Sequence, residues 1–163
     1  MLIYRLHAEP IELWQNKLDG EDFTKVNFHR CILDKYNMNK SYFKGCDFRS
    51  AQMNAVNFDE TFMSGTRLIM VKSVNSSYKG ANFVNSLLLY SDFSYTNFTD
   101  VNFSEAILKE SNFEGCNFCG AMLLCEQIES CNFKGAIFDD TTVWGNGFNP
   151  IEYGAIYKNH LAK

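Results

Sequence analysis

"NFEGCNFCGAMLLCEQIESCNF", residues 112–133, sets Phe113, Phe118, Leu123, Ile128 and Phe133 five residues apart. A helix returns to one face every 3.6 residues and a strand every 2. Neither fits a period of five. A chain that turns a corner after every five residues does fit, with one large side chain per side directed inward.

The rhythm extends in both directions. From Glu21 to Gly145 the chain divides into 25 blocks of five without an insertion. The third residue of each block is Phe, Leu, Met, Ile, Tyr or Val, with Ser73 the one exception. The first residue is mostly small, the second is often Asn or Asp, and the fourth and fifth are mostly Lys, Arg, Asp, Glu, Ser or Gly. The blocks resemble those of the pentapeptide-repeat family, and the resemblance implies that four of them close a square coil, so residues 20 apart would stack at about the 4.8 Å strand spacing. One interior column then reads Met38, Phe58, Tyr78, Phe98, Phe118, Phe138, and another Phe23, Phe43, Met63, Phe83, Phe103, Leu123, Val143. Stacked rings of this kind supply most of the hydrophobic stabilisation. The second-residue column Asn37, Asn57, Ser77, Asn97, Asn117 is expected to form a polar ladder between coils. Ser73 leaves its column short of apolar volume between Met53 and Phe93, which predicts a local irregularity or a buried water.

This pattern resembles the pentapeptide-repeat family, whose consensus is A(D/N)LXX, over about three quarters of the chain. The resemblance implies an all-β fold: a right-handed quadrilateral parallel β-helix, here of about six coils. Such an open rod needs covers at its ends. The expected organisation is one domain. Residues 1–20 form an N-terminal helical cap, residues 21–145 the β-helix, and residues 146–163 a C-terminal capping segment with a short helix. In the first segment Pro10 sits early, and Ile11, Trp14 and Leu18 follow at helical spacing. In the last, Asn149-Pro150 marks a break before a helix from Ile151 to about His160. Thr142-Val143-Trp144 with Gly147-Phe148-Asn149-Pro150 is similar to the terminal T-x-W…G-F-[DN]-P element of bacterial, especially cyanobacterial, members. That implies a stand-alone bacterial chain in which Trp144 and Phe148 seal the last coil.

Composition narrows the function. The net charge of −4 argues against general nucleic-acid binding. No apolar run approaches the roughly 18 residues of a membrane span, and the first residues lack a signal-peptide pattern. A cytoplasmic location is therefore expected, with the 6 Cys reduced. Cys116 and Cys119 form a CxxC without a second pair. The register turns Cys31, Cys46, Cys116 and Cys131 inward as small hydrophobes. It leaves Cys119 and Cys125 outside as the thiols open to oxidation. His7, His29 and His160 do not converge in the register, and no phosphate-binding, dinucleotide or HExxH motif occurs. No catalytic, cofactor or metal site is expected, and the chain does not read as an enzyme.

The surface is left to carry the function. On the side built around Phe28, Phe48, Leu68, Leu88, Leu108 and Ile128, the outward or partly outward residues Ile69, Met70, Leu87, Leu89, Tyr90 and Ile107 form an apolar group flanked by Arg67 and Lys109. A contiguous apolar patch with a charged rim points to a protein interface. Charge is also graded: residues 21–50 carry a net +2 and residues 91–140 a net −7. The leading reading is a noncatalytic interaction scaffold that presents a rigid face to a protein partner or to a second copy. The alternative, implied by the resemblance to quinolone-resistance members that protect gyrase, is a DNA mimic acting on a DNA-binding enzyme.

Overall fold

The computed structural model describes residues 2–6, 8–12 and 17–159. The chain winds into stacked coils in which the second residue of each block pairs in parallel with the second residue 20 positions on. Examples are Ile32↔Gln52, Asn37↔Asn57, Asn97↔Asn117 and Asn112↔Asn132. Three of the five amides on a side bond to neighbouring coils. Around Met53 these are Gln52 N–H to the Cys31 carbonyl (2.9 Å), Met53 N–H to that of Lys72 (2.7 Å) and Ala55 N–H to that of Val74 (2.9 Å).

The corner falls at the fifth residue, which takes a left-handed backbone whatever its side chain. Lys35, Ser50, Met70 and Tyr90 have φ of 65°, 57°, 57° and 54°. That conformation costs an ordinary L-residue about 1–2 kcal/mol, so each corner needs local compensation. Part of it comes from the second residue. Asn57 Oδ1 accepts from Asp59 N–H (2.9 Å), Asn97 from Thr99 (3.0 Å) and Asn117 from Cys119 (3.0 Å). This corrects the expected ladder. The Asn column turns its own corners instead of bonding from coil to coil, because a bond two residues away closes almost no loop. Amide ladders do occur on another side, where Asn112 bonds Asp92 and Asn132 bonds Asn112.

First residues are small for a second reason besides space. Their hydroxyls and thiols donate to third-residue carbonyls of the coil below. Ser86 reaches Met63 (2.8 Å), Ser91 Leu68 (2.9 Å), Cys46 Phe23 (2.9 Å) and Cys116 Phe93 (2.9 Å). Buried carbonyls at the corner are thereby satisfied. The third residues fill the interior, and their rings stack at close to the coil spacing: Phe28–Phe48 at 5.0 Å, Phe58–Tyr78 at 5.3 Å, Phe98–Phe118 at 5.4 Å and Phe113–Phe133 at 5.5 Å.

Ser73 does not break the coil. Its amide keeps the ladder, bonding the Asp92 carbonyl at 2.8 Å. The volume it vacates is taken by the hydroxyl of Tyr78, from the next side, which lies 2.8 Å from Ser73 Oγ. Ser73 Oγ also bonds Ser76 Oγ (3.1 Å) and the Met53 carbonyl (3.2 Å). Ser73, the exception to the pattern, and Tyr78 are one feature: each gives the other a buried polar partner. Burial pushes the Tyr78 phenol well above its usual range.

Both ends differ from expectation. The N-terminal segment is a hairpin, β1 (Leu2–Arg5) antiparallel to β2 (Ala8–Glu12), and not a helix. The first coil has ladder groups with nothing beneath them. The hairpin satisfies them: the Tyr4 carbonyl accepts from Ile32 N–H (2.8 Å), and Leu6 N–H donates to Arg30 (2.8 Å). That tertiary demand overrides the helical spacing. Pro10 is tolerated in a strand that ends its sheet. Trp14, part of the expected helix, lies outside the described residues. Leu18 already belongs to the repeat: it is buried, and Gly20 N–H bonds the Asn39 carbonyl as a corner residue does.

Two corners near the other end slip by one residue. Glu126, not Gln127, pairs with Ile107, and the slack is taken up by a single 3₁₀ turn, Ile128–Ser130. The next slip lies after Phe138. The strand β5 (Met122–Leu123) pairs with β7 (Val143–Trp144) in the register Leu123↔Trp144. Val143, expected inside over Leu123, is therefore exposed, and Trp144 packs against Phe133 (5.6 Å), Phe138 (5.6 Å) and Phe148 (5.3 Å). The expected C-terminal helix is one 3₁₀ turn, Pro150–Tyr153, ended by Gly154. Gly154 has φ +83°, and a Cβ there would sit 3.2 Å from the Lys134 backbone. The chain then lays down β8 (Ile156–Tyr157) parallel to β6 (Ile137–Phe138), which gives open ladder groups of the last coil their partners.

Ser73→Ala strips the Tyr78 hydroxyl of a buried partner and should cost about 1–3 kcal/mol in urea unfolding. Adding Tyr78→Phe should recover part of that loss. If the double variant is no more stable than Ser73→Ala, the pairing carries no energy.

Candidate functional site

The apolar side is held by the best-formed part of the ladder. β3 (Arg67–Ile69) and β4 (Leu87–Leu89) pair in register, Arg67↔Leu87, Leu68↔Leu88 and Ile69↔Leu89. Leu87 also bridges to Ile107. Leu68, Leu88 and Leu108 point inward and are fully buried, so alternation aims their neighbours outward.

The structure brings all eight candidate residues onto this one side, at different depths. Met70 is 65% exposed and Tyr90 47%, while Arg67 is also exposed. Ile69, Leu87, Leu89, Ile107 and Lys109 are half-buried. Met70 and Tyr90 stand highest because they occupy left-handed corners that throw the side chain off the face. Lys109 Nζ lies 5.6 Å from the Tyr90 ring centre and 3.9 Å from Glu110. The Tyr90 hydroxyl, with Glu110, holds the Lys109 ammonium above its ordinary range. On the same side Arg49 chelates Asp47 at 2.6 Å. Burial works against the Asp47 charge, but Arg49 outweighs it and holds the carboxyl below its usual range.

A second apolar feature escapes the sequence reading. Tyr42 and Phe62, second residues on the adjoining side, are half exposed and stack at 4.6 Å. The signal was available in their 20-residue spacing.

Other candidates for chemistry resolve into structure. Among the described residues no group of His, Cys, Asp and Glu is arranged to hold a metal ion, and no cavity opens in the rod. His29 stands on the apolar side, where its amide bonds Asn27 Oδ1. His7 and His160 lie outside the described residues. Cys119, expected at the surface, is 8% exposed. Burial raises its thiol pKa, and Asp139 adds to the effect. Cys125 is half-buried, and burial pushes its thiol up to about 12. Neither is an exposed reactive thiol, because the slipped corners and C-terminal segment fold over this end of the rod.

The geometry is that of a repeat solenoid: a parallel β-helix with a filled interior. The family model for pentapeptide repeats matches eight copies at residues 22–65, 75–104 and 96–135. The chain belongs to the pentapeptide-repeat family, whose fold is a right-handed β-helix. Among solved structures it is similar to full-length QnrB1, a plasmid-mediated fluoroquinolone resistance protein, at 17% identity over 90% of this chain and 89% of that one, with a TM-score of 0.46. A pentapeptide repeat protein from the Arabidopsis thaliana thylakoid lumen shares 20% identity over 76% of this chain and 68% of that one, with a TM-score of 0.36. One from Nostoc shares 18% over 69% and 84%, with a TM-score of 0.37. Comparison with curated proteins finds no match. No helix among the described residues is long and apolar enough to cross a membrane.

The buried thiols make a pH prediction. Burial pushes Cys46 and Cys116 from the ordinary 9.0 up to about 12 each. An unfolded chain ionises them first, so their contribution is complete below pH 9 and is lost as pH climbs toward 12. The loss should approach about 1.4 kcal/mol per thiol per pH unit. Cys46→Ser with Cys116→Ser should flatten the fall in urea midpoint above pH 9, since Ser91 already fills such a position with the same carbonyl bond. An unchanged slope would exclude these thiols as the cause.

Proposed function

We propose that this protein is a noncatalytic interaction scaffold of the cytoplasm, which docks a protein partner on the strip formed by Arg67, Ile69, Met70, Leu87, Leu89, Tyr90, Ile107 and Lys109. The observation that carries this reading is the concentration of six apolar residues in adjacent rows of one flat, ladder-held side. A rigid face loses little entropy on binding, so a modest apolar area suffices for a specific contact. Arg67 and Lys109 at its margin supply the polar rim that selects orientation.

The DNA-mimic reading draws on the net −7 of residues 91–140. The acids occupy successive sides of the coil, with Asp92, Asp100, Glu105 and Glu110 each on a different one. A groove-like row of charge on one face would favour mimicry more. The strip is therefore the preferred reading, and loss of gyrase supercoiling activity on adding the purified protein would reverse that preference.

Leu89→Lys places a charge in the centre of the strip on an outward position. It should leave the urea midpoint within about 0.5 kcal/mol of the wild type. Capture from the native cell, followed by mass spectrometry, should lose the specifically retained proteins or the second copy. An identical set of partners at unchanged yield would move the interface elsewhere.

A further inference from the structure

The same side is sorted by charge along its length. Its outward residues, taken row by row from the N-terminal end, are His29 and Arg30; Asp47 and Arg49; Arg67, Ile69 and Met70; Leu87, Leu89 and Tyr90; Ile107, Lys109 and Glu110; then Glu126 and Glu129. Asp47 is engaged by Arg49 and Lys109 by Glu110, so those two rows are close to neutral. The contrast lies between a basic first row and an acidic last row, with the apolar rows between them. Six rows about 4.8 Å apart make a strip about 24 Å long.

The end rows of a surface in this order are complementary to their own reverse, and the rows of Arg49 and Lys109, which the reversal also brings together, are each neutralised within the chain by Asp47 and Glu110. We propose that this side binds the same side of a second copy of the chain, the two rods antiparallel, about a two-fold axis lying in the interface between the Leu68 and Leu88 rows. The inference rests on the strip being a protein contact, and names the partner. A two-fold axis across the rods keeps each column opposite itself and reverses the rows. Ile69 then meets Leu89 of the second copy, and Met70 meets Tyr90. The row of His29 and Arg30 meets the row of Glu126 and Glu129, and symmetry provides this contact twice. A parallel dimer would set the basic first row against its own copy and the acidic last row against its own copy, which like-charge repulsion opposes.

The register of β3 on β4 keeps the central rows level, so two such faces can meet without rearrangement. The strip is short, which places the contact at the small end of specific interfaces. The dimer should therefore be weak, in the micromolar range, and sensitive to salt because its end contacts are exposed.

Sedimentation velocity of the full chain, from about 1 to about 200 μM, tests this. A concentration-dependent dimer is expected, with a dissociation constant that rises about tenfold between roughly 0.05 and 0.5 M salt. Arg30→Glu and Glu129→Arg, both at exposed positions, should each weaken it about tenfold. Combined in one chain, they should restore it to within about threefold of the wild type. A monomer at every concentration, or a dimer that ignores salt and is not restored by the double reversal, overturns the proposal. If the chain stays monomeric while Leu89→Lys still abolishes capture of another protein, this inference fails and the interface reading stands. If Leu89→Lys changes neither, both fail.

Discussion

The backbone hydrogen bond between coils is the constraint on which the rest of this protein depends. The second, third and fifth residues of a side each give their amide to a neighbouring coil. That leaves the chain two residues in which to turn before the next side begins. The turn requires a left-handed fifth residue, a condition that Lys, Arg, Glu, Met and Tyr meet here at a conformational cost. Many corners are then stabilised locally: an Asn or Asp cradles the amide two residues on, or a first-residue hydroxyl or thiol caps a carbonyl of the coil below. The small first residue, the polar second and the bulky third are one mechanical solution, repeated.

The interior of the rod was legible in the sequence because one position per block carries nearly all of the packing. What a single position could not reveal were pairs of exceptions. Ser73 alone looks like a gap. With Tyr78, five residues later but on another side, it is a closed polar contact. The role of the Asn column was likewise ambiguous, because an amide side chain can serve its own corner or its neighbour in the next coil. Local closure wins, being entropically cheaper. The ends were misread for a related reason. Ile11, Trp14 and Leu18 carry helical spacing after Pro10, but an open ladder presents unpaired donors and acceptors that extended chain satisfies. Tertiary demand decides such segments, and it is invisible to periodicity.

The apolar strip was legible as residues and incomplete as a site. Counting in fives places Ile69, Met70, Leu87, Leu89, Tyr90 and Ile107 on one side. Their depths follow from the corner geometry, which lifts Met70 and Tyr90 and sinks Leu87 and Ile107. The order of charge along that side appears only once Arg30 and Glu129 are recognised as ends of the same strip, about 100 residues apart in the chain. A solenoid turns sequence distance into linear position, so a gradient along its axis becomes a directional surface.

The account rests most directly on the inter-coil bonds, and residue-resolved amide hydrogen exchange by NMR measures them. Across residues 42–118 the second, third and fifth amides of each block are bonded between coils, whereas the fourth amides take no backbone ladder bond: about half are held by the Asn or Asp two residues back, and those of Asn54, Val74 and Lys79 by a side chain of the neighbouring coil. Protection should therefore repeat every five residues, high at those three positions and lowest at the fourth. Protection that runs evenly through the blocks, or that follows a period of 2 or 3.6, would contradict it.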